Sequence, residues 1–398
     1  MRAQIQHRDP PSVVARDASK TILAGIRELA PEITERAAEI EAAREIPPDL
    51  LDRLKSIGLF RIFVPRSHGG LELDLADGLA VITALARLDG SIGWTAIVAS
   101  AAAIFATWAQ RGTYDRVYRN GPNATLSGSS QPAGTAERVA DGWRINGRWP
   151  LASGCMHAEW MAGFCVVTDN GKPAIGAHGR PMVRGVVLPV QNWEIDDSWY
   201  AAGLKGTGSH HIALRDALVP EANLFDLEDS APCVPGVLYP AVRHLLPLFL
   251  AAFSTGVAEG ALDDLVALAH SGRQQYMAAT PMQESEVFQF ELGRTYADLR
   301  AAQAFLQGQT ASHWNHALAG TLNDEALLVE GTQASAWIAS TCIRVADACF
   351  ALAGSSSIYD TSPLQRRLRD LHVAGQHAHV QQRHYLAGGK LVLAHRAT

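Results

Sequence analysis

Three short stretches of the sequence carry side chains whose types and spacing could do chemistry together. The first is WYAAGLKGTGSHHIALRDALVPEANLF, Trp199 to Phe225, built around a Gly-Thr-Gly-Ser turn. Gly206 and Gly208 allow backbone N–H groups to approach a ligand closely, and Thr207 and Ser209 add hydroxyl donors. The second is GRWPLASGCMHAEW from Gly147, which holds Ser153. A serine in a strand turn either satisfies nearby backbone or presents its hydroxyl outward. The third is RDLHVAGQHAHVQQRH, with Arg369, Asp370, His372, His377 and His379. Histidine titrates near neutrality and suits proton transfer. Read as one helix, this tail puts His372 and His379 on a shared face and His377 on another. No HExxH motif accompanies these histidines, so the run does not read as a metal site. No GxGxxG fingerprint opens a βαβ unit, which argues against nicotinamide binding.

The elements that must position these residues follow from periodicity. From Ser19 to about Arg119 the pattern is helical, with Ile22, Leu23, Ile26, Leu29 and Ile33 at spacings of three and four. Pro47-Pro48 stops one helix and opens the next, and Asp74 suits an N-cap. From about Asn123 to Phe225 the segments are short, β-branched or aromatic, and punctuated by Asp-Gly and Asn-Gly, which predicts an antiparallel sheet or small barrel. Helices return from about Val237. The division predicted is a helical domain over 1–122, a β-domain over 123–230 and a helical bundle over 231–398.

Composition bounds the rest. At 398 residues the chain can bury two or three sizeable cores, and a net charge of −6 argues against a nucleic-acid surface. Five cysteines without CxxC spacing read as reduced, mostly buried thiols. The N-terminal MRAQIQHRDPPSVVARD has no apolar core of a leader, so a soluble, cytoplasmic protein is expected. TAIVASAAAIFATW and HLLPLFLAAF are shorter than the ~18 residues a membrane span needs, and read as buried helices.

A helical–β–helical order alone fits several folds. The Trp199–Phe225 stretch resembles the signature of the acyl-CoA dehydrogenase superfamily, a Gly-rich turn followed by a strand ending in Val-Pro. Other places agree. LSGSSQPAGTAERV, with Ser127 and Ser129, sits where that superfamily lines its flavin with hydroxyls, and Ser153 falls near the reactive edge of the ring. SGRQQY puts Arg273 where the superfamily carries an arginine reaching cofactor phosphates of a neighbouring subunit. ALAGSSSIYDTSPLQRRLRDLH places Gly354 and Ser355 on its last flavin-contacting segment. SGCMHAEW and R-D-x-H-x-x-x-x-H are similar to its branch of two-component flavin-dependent monooxygenases. That branch includes the oxygenase components acting on 4-hydroxyphenylacetate, seco-steroid phenols, dibenzothiophene and indole.

The resemblance implies an acyl-CoA dehydrogenase-like fold: an N-terminal all-α domain, a central antiparallel β-barrel and a C-terminal four-helix bundle that makes a homotetramer. It also implies where a dehydrogenase would carry its base. Those positions here are Ala378, counted from Arg369-Asp370, and Leu246 on an earlier helix. Neither can remove a proton, whereas removing the α-proton of an acyl thioester needs a carboxylate. The branch instead carries a histidine where His377 stands. The function implied is hydroxylation of an aromatic or heteroaromatic small molecule, phenol- or indole-like, by reduced flavin (FMN or FAD) and O2 through a C4a-hydroperoxyflavin. A separate NAD(P)H-dependent flavin reductase would supply the flavin. The expected catalytic residues are His377 and Ser153, and the expected flavin contacts are Ser127, Ser129, Ser153, Thr207, Ser209, Arg273, Gly354 and Ser355. Many phenol hydroxylases of the branch have a histidine eight residues after the tryptophan of SxGW. That place is Ala102 here, which implies a roomier, less polar pocket around Ala101 to Ala103. The competing readings are an acyl-CoA dehydrogenase with a displaced base and a non-catalytic subunit on a flavin fold.

Overall fold

Prolines and aspartates set the breaks of the first helical block. The computed structural model describes residues 13–176, 179–228 and 230–395, so most of the N-terminal stretch read for a leader lies outside the described residues. Among the described residues six α-helices come first: α1 (Val13–Glu35), α2 (Ala37–Ala43), α3 (Pro48–Ser56), α4 (Leu75–Leu88), α5 (Gly90–Ala106) and α6 (Arg111–Val117). Pro48 is the first residue of α3, where a missing N–H costs nothing. Asp74 caps α4 by accepting from the Asp77 N–H at 2.8 Å, and Asp89 caps α5 through the Ile92 N–H.

Among the described residues eight strands follow: β1 (Leu126–Val139), β2 (Gly142–Ala152), β3 (Trp160–Asp169), β4 (Lys172–Pro173), β5 (Val183–Pro189), β6 (Glu194–Asp196), β7 (His210–Val219) and β8 (Leu224–Phe225). They form one sheet of order β6-β7-β2-β1-β3-β5-β8, with the short β4 paired to the end of β3. Two expectations are corrected here. Among the described residues β6 and β8 do not pair, so the sheet is open rather than a closed barrel. It is also mixed, because β1 runs parallel to β3. Asp141-Gly142 falls at the β1–β2 turn, with Ala140-Asp141 as the turn and Gly142 opening β2, but Asn146-Gly147 lies inside β2 at a register shift against β7. The glycine there serves packing. Gly134, Gly147 and Gly163, on three adjacent strands, leave space for the fully buried Trp149 ring, and a Cβ on any of them would strike it. Trp149 Nε1 donates to the Phe164 carbonyl at 2.6 Å, so its one polar atom is satisfied.

The closing helices are α7 (Val242–His270), α8 (Glu286–Ala319), α9 (Glu325–Ala353), α10 (Pro363–Ala374) and α11 (His384–His395). HLLPLFLAAF turns out to belong to the 29-residue α7. Pro247 sits in its first two turns, where losing one backbone hydrogen bond does not end the helix. By length and composition this helix and the one over Glu325–Ser356 could cross a membrane. In this fold α7 is instead an interior element: 89% of its apolar window is buried and it packs on α4, α5, α8, α9 and α10. Of the five cysteines, all free, four are buried and Cys233 is partly exposed.

Candidate active site

The sheet and the helices meet around a cavity of about 940 Å³. Its helical wall comes from α5, whose Trp94, Ile97, Val98, Ala101, Ala102 and Phe105 recur every three or four residues, and from Leu246 and Leu250 of α7. Its sheet wall carries hydroxyls: Ser127, Ser129 and Ser130 at the start of β1, Ser153 just past β2, and Ser209 before β7. The last side is the turn after α10, with His377, Ala378 and His379. Among the described residues no Asp, Glu, Lys or Arg lines the cavity. Ala101 and Ala102 face it, while Ala103 is buried outside its lining.

Three turns separated in sequence are tied together at the hydroxyl wall. The Ser127 hydroxyl donates to the Ser153 carbonyl at 2.7 Å, and the Gly154 N–H donates to the Thr207 carbonyl at 2.8 Å. Ser153 Oγ lies 2.6 Å from Ser209 Oγ, which lies 2.7 Å from Thr207 Oγ1. The two ends of this row fix its direction. Thr207 must donate to the Leu204 carbonyl (2.7 Å), and Trp94 Nε1 must donate to Ser153 Oγ (3.0 Å). A hydroxyl has one proton, so Ser209 donates to Thr207 and Ser153 donates to Ser209. Ser153 is left with a lone pair toward the cavity and no free proton. Leu151, two residues earlier, sits at φ 63° in the left-handed region, a conformation costing a branched residue about 1–2 kcal/mol. That strain accompanies the sharp turn in which the Ser153 N–H reaches back to the Leu151 carbonyl.

Arg369 and Asp370 hold the far end of the row. Arg369 donates to the Ala202 carbonyl at 2.6 Å and pairs with Glu41, while buried Asp370 accepts the Leu204 N–H at 2.5 Å. Burial, with Asp89 nearby, pushes the Asp370 carboxyl up to about 7. The Arg-Asp pair is thus a clamp on the loop whose Leu204 carbonyl terminates the hydroxyl row.

The histidines are arranged differently from the helical reading. Helix α10 stops at Ala374, so the face argument fails beyond it. His377 and His379 stand on a separate turn with rings stacked 5.4 Å apart, and both line the cavity. His372 points away, 2.8 Å from Asp347 at the surface. His377 Nδ1 accepts the His379 backbone N–H at 3.3 Å, which leaves the proton of a neutral ring on Nε2. Burial depresses both imidazoles to about 4, His379 additionally through His377 and other neighbouring cations and rings.

Of the expected flavin contacts, Ser127, Ser129, Ser153 and Ser209 line the cavity together. Thr207 lies just behind it, buried and reaching the site through Ser209. Gly206 backs onto Ile40 and Ser91, and Gly208 adopts φ 50° near the Arg44 carbonyl, so these glycines permit close packing of the turn rather than open space for a ligand. Arg273 and Ser355 are joined at 3.3 Å elsewhere, between the ends of α7 and α9. Gly354 adjoins them, and none of the three lines the cavity. Trp94 was missed as a site residue. It bonds Ser153, meets the His377 ring edge-to-face at 5.8 Å and packs on Phe253. The signal available was the tryptophan closing SIGW, four residues after the Gly90 that starts α5.

A helical block, an inserted sheet and a second helical block around a hydroxyl-walled cavity define an acyl-CoA dehydrogenase-like protein. The N-terminal domain family of acyl-CoA dehydrogenases matches residues 17–115, and the C-terminal domain family matches residues 248–382. The chain belongs to the acyl-CoA dehydrogenase family. Its relatives there include indole-3-acetate monooxygenase of Pseudomonas putida, 31% identical over 91% of this chain and 89% of that one. The flavin-dependent monooxygenase oxygenase subunit HsaA of Rhodococcus jostii is 28% identical over 88% and 92%. The crystal structure of 3-HSA hydroxylase from Rhodococcus sp. RHA1 superposes with a TM-score of 0.85 at 25% identity, covering 94% of this chain and 97% of that one.

Proposed function

We propose that this protein is the oxygenase component of a two-component flavin-dependent monooxygenase, hydroxylating an aromatic or heteroaromatic small molecule. The observation that carries this reading is the cavity wall. Leu246 and Ala378, the two places where a dehydrogenase of this fold would carry its carboxylate, both line the cavity, and among the described residues no carboxylate does. An acyl thioester bound there would meet no base. The relatives above are named monooxygenases, which points the same way.

The residues present suit a flavin. A row of hydroxyls on one wall and about 940 Å³ of space accommodate a polar ring edge with an aromatic beside it. Bound reduced flavin supplies two electrons and O2 the oxygen. With two electrons from the substrate, one oxygen atom enters the ring as hydroxyl and the other leaves as water. The chain's own residues orient and protect this chemistry. Ser153, its proton committed to Ser209, offers a lone pair to an N–H such as the one a reduced flavin carries at N5. His377, neutral with its proton on Nε2, is a donor toward the cavity and a weak base. We therefore assign it to hydrogen-bonding oxygen rather than to proton abstraction. The apolar α5 and α7 faces keep water from the reacting atoms.

Arg273 supports a second contact region. Its buried Nε has no hydrogen-bond partner among the described residues, and its Nη2 meets Ser355, as suits an anion such as a flavin phosphate. That group lies outside the cavity, consistent with serving another subunit's cofactor. Exposed apolar side chains on α8 and α11, among them Val287, Phe290, Leu386 and Leu393, favour self-association through a C-terminal four-helix bundle into a homotetramer. The three units over 1–122, 123–230 and 231–398, a cytoplasmic location and an NAD(P)H-dependent reductase partner complete this reading. Anaerobic mixing with acyl-CoA is the test of the family alternative. Oxidised flavin on this protein should not bleach, and bleaching would return the chain to the dehydrogenases.

A further inference from the structure

The absence of charge around the cavity bears on what can enter it. This step rests on the oxygenase reading and narrows its substrate. Among the described residues the lining has no Lys or Arg, and its two imidazoles are held neutral by burial. Its amide side chains among the described residues, Gln131 and Gln376, are exposed, which places them at the rim. The interior is aromatic and small-aliphatic instead. Phe105 meets Phe164 edge-to-face at 6.1 Å, and Phe164 meets Phe225 at 5.5 Å. Ala101, Ala102 and Ala106 on α5, and Ala109 just beyond it, leave open space there. From Trp94 to Phe105 that face runs about 16 Å at the ~1.5 Å rise of a helix.

We infer that the substrate is a neutral fused-ring aromatic without a carboxylate, in contrast to the indole-3-acetate named for a relative of 31% identity. A carboxylate carried into this interior would lose its hydration and meet no cation, whereas an uncharged ring loses nothing of the kind. Edge-to-face phenylalanines and open space beside alanines favour a flat, wide molecule. Residues facing this space, Ala102 above all, set specificity by what they omit.

The test compares three ligands that differ in one substituent: 3-methylindole, indole-3-acetamide and indole-3-acetate. Each is titrated into the holoprotein with reduced flavin, anaerobically at pH 7.5, and binding is read by calorimetry. The two neutral ligands should bind, and the acid should bind more weakly than its amide on the order of 100-fold. Equal or tighter binding of the acid overturns the inference, as does failure of both neutral ligands to bind at millimolar concentration. Turnover is scored separately with O2. Neutral ligands that bind but are never oxygenated would count against the oxygenase reading alone, and efficient hydroxylation of indole-3-acetate would sink this inference while sparing that reading.

Discussion

Replacing Thr207 by Val tests whether the ordered row of hydroxyls selects the redox form of the flavin. Thr207 is buried, donates to the Leu204 carbonyl and receives the Ser209 proton, both at 2.7 Å. Valine keeps the shape and removes both bonds, while the Leu204 carbonyl keeps the Trp199 indole N–H at 3.1 Å. Ser209 is then free to turn its proton toward Ser153, and Ser153 to turn its own into the cavity. Two neutral hydrogen bonds at ~1 kcal/mol each set a stability loss of about 1–2 kcal/mol. For flavin, the reduced form loses an acceptor at Ser153 and the oxidised form, whose N5 is itself an acceptor, gains a donor. At ~1 kcal/mol for each change, the preference for reduced over oxidised flavin should fall roughly 30-fold. Anaerobic titration of both forms against wild type and variant measures it. A folded Thr207→Val protein with an unchanged ratio would refute the claim that proton direction in this row matters.

Other outcomes follow from the same geometry. His377→Ala should keep the fold and flavin affinity but lower product per flavin oxidised and raise H2O2, by a factor of ~10²–10³ as for the loss of one positioned hydrogen-bond donor to oxygen; an unchanged ratio in single-turnover stopped flow moves the role to Ser153 or His379. Because His377 stays neutral down to about 4, product yield should show no transition near pH 6.5, and one that vanishes in His377→Ala contradicts the assigned protonation state. Asp370, raised in the folded protein from an unfolded value near 3.9, binds its proton more tightly when folded, so its contribution to stability declines as pH rises from about 4 to 7. Asp370→Asn should remove that decline, up to ~1.4 kcal/mol per pH unit, and parallel denaturation curves for both proteins across pH 5–8 would show the carboxyl is not perturbed. Sedimentation should find a homo-oligomer with flavin, and a flavin-competent monomer would remove the role given to Arg273.

Much of the fold was legible because local chemistry and tertiary structure agree. Pro48 and Asp74 mark helix starts by satisfying or omitting terminal N–H groups, and those signals depend on no distant contact. Asn146-Gly147 misled, since the glycine answers to the Trp149 ring across three strands, which periodicity cannot express. The same holds for the sheet: strands were recognisable, but the parallel β1–β3 pairing is a long-range choice. At the site, the hydroxyl residues could be picked by type, yet their joint direction depends on Trp94 and Leu204, distant ends of the row. The histidines show the limit most clearly. A helical face was projected past Ala374, where the helix has already ended, so His379 was placed with the surface His372 instead of beside His377.

The central claim is that this chain uses O2 to oxygenate rather than a base to desaturate. Its most direct test is isotopic. The protein is supplied with reduced flavin, 18O2 and a neutral indole in a single turnover, and the product is weighed by mass spectrometry. One labelled oxygen atom per product molecule is the result predicted. Product carrying oxygen only from water, or no oxygenated product while acyl-CoA is desaturated by the same preparation, would contradict it.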